Sequence, residues 1–288
     1  MGYDEMGRVL QSVEPSGTIT RSVYDTRGRT TERWVGTDDS GLAGSPMSGT
    51  SNMVKTESMV YDGGSSGGNS LLTQVTRYPD GATGTRVTSY QYDTRDRQVL
   101  TINPQSPHSV VKYDSAGRVI ASGTYSSSSG LSATTDPTSV TTNRLSLSET
   151  AYDEAGRVYR TTSHKITFST GASAATLVSD TWHDVVGRTI KSRGSSISKT
   201  FYDRQSRPYR QFTIAKLQDN AGTGTESDTD IAQAGTVTGD LVLEERQTIY
   251  DTASGLTLFT VALQRAHDDT TTTGARDGNG DADLTTLT

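Results

Sequence analysis

Tyr113-Asp114-Ser115-Ala116-Gly117-Arg118 is the stretch of sequence that decides the fold, because the pattern Tyr-Asp-x-x-Gly-Arg recurs along the chain. The copies supply these motif residues: Tyr3, Asp4, Gly7, Arg8; Tyr24, Asp25, Gly28, Arg29; Tyr92, Asp93, Arg97; Tyr113, Asp114, Gly117, Arg118; Tyr152, Asp153, Gly156, Arg157; Asp184, Gly187, Arg188 after His183; and Tyr202, Asp203, Arg207. Tyr61-Asp62 and Tyr250-Asp251 keep only the first two positions. Repetition of this kind predicts a repeat architecture.

Each copy predicts a tight β-hairpin. The Asp carboxylate can accept a hydrogen bond from the backbone N–H two residues on, and the Gly supplies the left-handed residue that closes a three-residue loop. Asp and Arg then face each other across the strands as an ion pair, while Tyr faces the residue after Arg on the other side of the hairpin. Asp96 and Ser206 replace the Gly, so we expect strained or longer loops in those two copies.

The spacing of the copies predicts a second level of order. Tyr24, Tyr113 and Tyr202 are each 89 residues apart, which indicates a super-repeat of one short, one long and one medium unit. We expect three segments: super-repeat 1 over 1–91, super-repeat 2 over 92–182, and a truncated super-repeat 3 over 183–288. Super-repeat 3 carries a long polar insertion at 216–239 and an acidic tail at 267–283.

Between copies, the sequence predicts strand, turn and strand. Glu14-Pro15-Ser16-Gly17 matches a type I turn, and Pro79-Asp80-Gly81 predicts a second one. Three Gly-, Ser- and Thr-rich stretches, 37–52, 126–142 and 216–239, are interpreted as surface loops, and we expect the last two to be mobile. The predicted fold is therefore all-β, with repeated antiparallel hairpins and almost no helix.

Composition excludes several classes of protein. Only 31% of residues are hydrophobic, and 29 are Gly, which favours a lightly filled β-structure. A net charge of −6 argues against binding to nucleic acid or to an anionic membrane surface. The chain has no Cys, so it has no disulfides, and no apolar run approaches the ~20 residues of a membrane span. We recognise no signal peptide, and both ends fall within the repeat pattern, so we expect a fragment of a longer protein.

No catalytic, cofactor-binding or metal site is predicted. His108, His164, His183 and His267 do not share metal-ligand spacing. The segment 277–283 alternates oxygen side chains as a calcium loop does, but its sixth position is Ala282 where Gly is needed, so we interpret it as a solvated acidic loop. No nucleophile elbow or phosphate loop occurs. The repeated Arg could bind an anionic ligand, but a structural ion pair is the favoured interpretation.

The motif resembles the YD repeat of the RHS-repeat family, which includes bacterial RHS toxins, the cocoon component of insecticidal toxin complexes, and teneurins. This resemblance implies a long antiparallel sheet that spirals into part of a hollow β-shell, located outside the cell or at its surface. The Asp-Pro-x-Gly shell-closing motif of toxin members has no counterpart, since Asp136-Pro137 shares only a dipeptide with it. Autoproteolysis and a toxin payload are therefore not assigned to this chain.

The predicted function is a non-catalytic structural scaffold, an internal segment of a large shell that encapsulates or displays a toxin or adhesive domain. Its partners would be the rest of a longer parent chain and a toxin cargo. The alternative is a repeat module that binds carbohydrate or another cell's surface. Nothing in the sequence decides between the two. Neither hypothesis requires a cofactor.

Overall fold

A computed structural model describes residues 1–40, 52–65, 67–79, 84–216, 234–265, 273–276 and 283–287, with side chains for all of these except 216 and 283–287. The described part contains these strands: β1 Gly2–Tyr3, β2 Val9–Val13, β3 Ile19–Tyr24, β4 Thr30–Gly36, β5 Val54–Tyr61, β6 Leu72–Arg77, β7 Arg86–Tyr92, β8 Gln98–Ile102, β9 His108–Tyr113, β10 Val119–Tyr125, β11 Arg144–Tyr152, β12 Val158–Ile166, β13 Ser173–His183, β14 Thr189–Arg193, β15 Ile197–Tyr202, β16 Pro208–Lys216, β17 Leu241–Tyr250, β18 Thr257–Arg265 and β19 Asp283–Leu287.

The fold is all-β and antiparallel, as the sequence predicts. The helical content of the described residues is a 3-10 turn at Asp62–Gly64 and two further 3-10 residues at 234–235. Runs rich in Val, Ile, Thr and Tyr form the strands because branched and aromatic side chains suit a pleated, half-buried surface. The predicted turn at Glu14–Gly17 is present, since Gly17 N donates to Glu14 O at 2.9 Å. Residues 80–83 of the second predicted turn lie outside the described residues.

The chain divides into two compact units. Unit 1 comprises Met1–Leu147 and Ile166–Ser173, and unit 2 comprises Ser148–Lys165 and Ala174–Thr288. In unit 1 the strands β1 to β10 pair in chain order as a meander. In unit 2, β11 pairs with β12, and β13 to β19 pair in chain order. These boundaries do not coincide with those of the three predicted super-repeats, which remain a prediction.

Three small hydrophobic clusters form the core, one within each predicted super-repeat range. The first contains Ile19, Trp34 and Met53; the second contains Leu100, Val110 and Tyr125; the third contains Phe212, Ile214, Val237 and Val242. Each cluster combines strand residues with a residue from, or beside, a long inserted stretch. The clustered apolar residues of the described part thus lie beside the insertions.

The interpretation of 126–142 as a mobile surface loop is wrong. Leu131 and Val140 pack against the second cluster, and the fully buried Tyr125 donates its hydroxyl to Val140 O at 3.1 Å. Buried Arg144 donates to Pro137 O at 2.8 Å. The sequence of this stretch is polar and rich in small residues, but a few apolar side chains and one buried arginine are sufficient to dock it.

The other two insertions also contact the sheet where the structure describes them. Asn52 Oδ1 accepts hydrogen bonds from Thr37 N and Asp38 N, which closes the base of the first insertion; residues 41–51 lie outside the described part. In the third insertion 217–233 lie outside it, but Ala234 and Val237 are buried. The end of the predicted insertion at 216–239 is therefore packed, and a mobile loop over 217–233 stays a prediction.

The predicted acidic tail at 267–283 is described only at 273–276 and at Asp283, the first residue of β19. Gly274 N donates to Asp240 O at 2.8 Å, and the side chain of Arg276 is buried. This short part is therefore packed on unit 2. The candidate calcium loop at 277–282 and His267 lie outside the described residues.

Candidate functional site: a ladder of tyrosine, aspartate and arginine

Each motif copy closes its hairpin with one aspartate. In the copy that starts at Tyr92, Asp93 Oδ1 accepts the backbone N–H groups of Arg95 and Arg97 at 2.8 and 3.1 Å, and Asp93 Oδ2 accepts Nε of Arg97 at 2.7 Å. The backbone completes the turn, because Asp93 N donates to Arg97 O at 2.9 Å. All seven copies keep the Arg Nε–Asp Oδ2 contact at 2.5–2.7 Å.

The arginine of one copy also contacts the next copy, which the sequence reasoning missed. The Arg97 guanidinium lies 4.6 Å from the ring centroid of Tyr113, within the range of a cation–π contact. Its NH1 donates to Asp114 O at 3.0 Å, and the Tyr113 hydroxyl donates back to Gln98 O at 3.3 Å. Arg97 therefore joins two successive hairpins.

This relationship recurs along both units, and we call it the ladder. The stacked pairs are Arg8 on Tyr24, Arg29 on Tyr61, Arg97 on Tyr113, Arg188 on Tyr202 and Arg207 on Tyr250. NH1 also reaches the next turn from Arg29 to Asp62 Oδ2, from Arg157 to Asp184 O, from Arg188 to Asp203 O and from Arg207 to Gly255 O. The degenerate copies at Tyr61 and Tyr250 thus still contact the arginine of the preceding copy.

The ladder gives the motif glycine a second role. Gly28 has φ +83°, which favours Gly, and a Cβ placed there would lie 3.1 Å from NH1 of Arg8. At Gly255 the corresponding distance to NH1 of Arg207 is also 3.1 Å. Gly7 has no preceding motif arginine, and nothing lies within 4 Å of its Cβ position. At Gly28 and Gly255 the glycine therefore serves both the turn and the close approach of the preceding arginine, whereas at Gly187 and Gly117 the distances of 3.5 and 3.9 Å leave room for a Cβ.

The two copies without this glycine show how it can be replaced. Asp96 and Ser206 have φ of +61° and +65°, so both hairpins are strained as expected, but they keep the same loop length. The unit before Asp96 lacks the motif arginine, so no guanidinium approaches that turn from the preceding copy. Ser206 instead takes part in the ladder, because its Oγ accepts NH1 of Arg188 at 3.1 Å.

The turn carboxylates are held in their ionised form. The Arg97 guanidinium lowers the pKa of Asp93, and the backbone N–H groups of Arg97 and Arg95 act in the same direction. For Asp25 the largest influence is desolvation, which would raise its pKa, but the hydrogen bonds from Arg29 and Arg27 outweigh it and the pKa is lowered. Desolvation raises the pKa of the Tyr92 phenol, so this motif phenol remains a hydrogen-bond donor, to Leu72 O.

The predicted histidines do not come together. His164 contacts Glu149 at 3.4 Å, His183 occupies the motif tyrosine position opposite Thr189, and His108 is buried in β9. Among the described residues there is no group of three or more His, Asp or Glu side chains with metal-site geometry. No helix in the described part is long and apolar enough to span a membrane.

Sequence reasoning also missed the buried charges of unit 2. Lys199 Nζ contacts Asp240 Oδ2 at 2.6 Å, with both side chains almost fully buried. Asp180 is held by Arg160 and Arg193 at 2.6 and 2.5 Å. These pairs join residues of different strands or of a strand and an insertion. No motif spacing marks them: strand register places Asp180 opposite Arg193, and the docked end of the third insertion brings Asp240 to Lys199.

The hairpins and the ladder define an antiparallel β-repeat protein whose successive turns are cross-linked by side chains. No family model and no curated protein matches the chain. Among solved structures it is similar to "Crystal Structure of TcdB2-TccC3 without hypervariable C-terminal region", at 13% identity and a TM-score of 0.31, over 98% of this chain and 15% of that one.

Two further similar structures are TcdB2-TccC3 (14% identity, TM-score 0.28, 98% of this chain and 16% of that one) and a Photorhabdus luminescens Tc holotoxin pore (14%, 0.27, 91% and 15%). The chain thus spans about 15% of the length of these structures.

Proposed function

We propose that this chain is a non-catalytic structural scaffold, a segment of a large YD-repeat shell. The observation that carries the proposal is the ladder. The Asp carboxylate and the Arg guanidinium of each copy are engaged in contacts within that copy, and at five junctions the arginine also stacks on the next tyrosine. Contacts repeated only between neighbours are typical of elongated repeat proteins, whose stability is the sum of unit and interface terms.

In the proposed role the segment is one part of an extracellular or cell-surface shell that encloses or displays a toxin or adhesive domain. The rest of a longer parent chain would be its main partner. The support for this finer proposal is the resemblance of the motif to the YD repeat, together with the antiparallel meander within each unit. Residues in or beside the described ends of the insertions, Met53, Leu131, Val140 and Val237, pack into the three clusters, as expected of structural rather than ligand-binding segments.

Electron cryomicroscopy of the full-length gene product tests the proposal. We expect a hollow β-walled particle in which this segment forms part of the wall. A protease-protection assay on the same particle then shows whether a domain lies inside. A solid globular domain, or turnover of a substrate that the ladder variant Arg97→Gln abolishes without unfolding the protein, would contradict a scaffold role.

A further inference from the structure

Strand β13 is longer than the strand that pairs with one of its edges. The pairing with β14 ends at Asp180, which lies opposite Arg193, the last residue of β14. The chain then turns towards β15, and a Cβ at Gly194 in this turn would lie 3.2 Å from Oγ of Ser179. On the β14 side, the stretch Ala174–Ser179 therefore extends past its neighbour, and we call it the β13 edge.

The hairpin geometry shows which backbone groups of the β13 edge point outward. Asp184 N donates across the hairpin to Arg188 O, so its N–H points towards β14. Residues two apart on a strand direct their backbone groups to the same side, and the register shift of this hairpin lies on β14, which leaves β13 regular. The outward-pointing N–H and C=O groups beyond the end of β14 are therefore those of Ala174, Thr176 and Val178.

The sequence of the β13 edge leaves it open to another strand. Proteins protect sheet edges with charged side chains, especially Lys, or with Pro. The stretch 173–179, Ser-Ala-Ala-Thr-Leu-Val-Ser, contains neither a charged residue nor Pro. Ala174, Ala175, Thr176 and Leu177 are all exposed, and since successive side chains lie on opposite faces, both faces of the strand are accessible here.

We propose that the β13 edge pairs with the same edge of a second copy of this chain, antiparallel about a two-fold axis at Thr176. In this register Thr176 lies opposite Thr176 of the second copy, and Ala174 lies opposite Val178. All three outward-pointing residues are then paired, whereas a shift by two residues leaves one of them over. Each hydrogen-bonded pair exchanges two bonds, so about six backbone hydrogen bonds would join the two copies.

The side chains favour a second copy over another extended segment. About the axis at Thr176 each small side chain meets a larger one, because Ala175 lies opposite Leu177 and Ala174 opposite Val178. A strand of unrelated sequence gains the backbone bonds without this match. Such a contact uses the same patch on both copies and closes at two. The proposal goes beyond the scaffold function and does not depend on it.

Charge at the two-fold axis tests both the partner and the register. Thr176 faces its own copy, so Thr176→Lys and Thr176→Asp each place like charges opposite each other. We expect sedimentation velocity up to about 0.5 mM to show a concentration-dependent dimer of the unchanged chain and a monomer of each variant. An equimolar mixture of the two variants should form dimers again, since Lys then faces Asp. This recovery shows that neither variant is misfolded.

Crosslinking supplies a second test, because the chain has no Cys. Hydrogen-bonded antiparallel residues have Cα atoms about 5.5 Å apart, within reach of a disulfide, so Thr176→Cys should crosslink two copies under mild oxidation. The matched control is Ala174→Cys, which points to the same face of the strand but lies more than about 13 Å from its counterpart. We expect Thr176→Cys to crosslink at least about tenfold faster.

Three results would overturn the proposal. The first is a chain that stays monomeric up to about 0.5 mM, with or without protection of the 174–178 amides from hydrogen exchange by an unrelated octapeptide of alternating Thr and Val; protection would assign the edge to a peptide partner. The second is an equimolar mixture that dimerises no more than either charged variant alone. The third is equal crosslinking of Thr176→Cys and Ala174→Cys, which would place the contact on another surface.

Discussion

Lys199 and Asp240 form a buried ion pair, with 2.6 Å between Nζ and Oδ2, that fixes the end of the third insertion to strand β15. Lys199 Nζ also donates to Thr236 O at 2.8 Å. Removing one member of a buried pair leaves the other charge uncompensated. We expect Lys199→Ala to lower the free energy of unfolding by about 3–5 kcal/mol in urea melts.

The equivalent position in the second super-repeat supplies the control for this prediction. Lys199 lies three residues before Tyr202, and Val110 lies three residues before Tyr113; Val110 is buried without a charge. The double variant Lys199→Val/Asp240→Ala should therefore regain much of the stability lost in Lys199→Ala. If Lys199→Val/Asp240→Ala is less stable than Lys199→Ala, apolar packing cannot replace the ion pair, and the pair itself stabilises the protein.

The motif glycines permit a matched comparison. Gly7 and Gly28 have φ of +78° and +83°, so alanine is strained at both, by about 1–2 kcal/mol. Only at Gly28 does the new Cβ also meet Arg8 NH1. We expect Gly28→Ala to be clearly more destabilising than Gly7→Ala in denaturant melts. Equal losses would show that the ladder arginine does not require the glycine.

His108 is a buried exception at a core position. It lies five residues before Tyr113, where the other super-repeats have Ile19 and Ile197, and its Nδ1 has no hydrogen-bond partner. A buried polar group without a partner costs about 1–3 kcal/mol. We therefore expect His108→Ile to raise the stability by about 1 kcal/mol, measured by chemical denaturation, and the reciprocal Ile19→His to lower it. A less stable His108→Ile protein would mean that the imidazole has an unseen role.

Stability should fall as the pH is lowered, because the aspartates of the hairpin turns have lowered pKa values. The pKa values of Asp4, Asp25, Asp93, Asp114, Asp153, Asp184 and Asp203 are lowered in the folded protein from an ordinary value of 3.8. Their contribution to stability is fully present above that value and is lost as the pH falls through the folded pKa values. The urea midpoint should thus be nearly level from pH 7 to about 5 and fall below about pH 4. Asp114→Asn should make the fall of the urea midpoint with pH less steep. A urea midpoint at pH 3 equal to that at pH 7 would show that these aspartates do not link stability to pH.

The sequence predicts the contacts within one hairpin but not those between successive hairpins. Asp93 and Arg97 are four residues apart, so turn chemistry alone predicts their contact, and the positive φ at Gly117 and Asp96 follows in the same way. The stacking of Arg97 on Tyr113 requires the register of the next hairpin, which depends on the length of the intervening strands. The docking of 126–142 depends on few apolar residues in a polar stretch, so composition alone predicts a mobile loop instead. Low sequence complexity is a poor predictor of loop mobility where one buried side chain fixes the loop.

The last prediction concerns the docked loop 126–142. Gly123 on β10 corresponds to Trp34 and Phe212, since each lies ten residues after its motif tyrosine, and a Cβ at Gly123 would lie 3.0 Å from Cβ of Pro137. The absence of a side chain there leaves room for the loop, so Gly123→Leu should expel it. Chymotrypsin should then cleave near Leu131, which is protected in the unchanged protein because it packs on the second cluster. Ser122→Leu, on the opposite face of the same strand, should leave the loop protected. Equal cleavage of the two variants would show that strand β10, rather than the loop contact, had been disturbed.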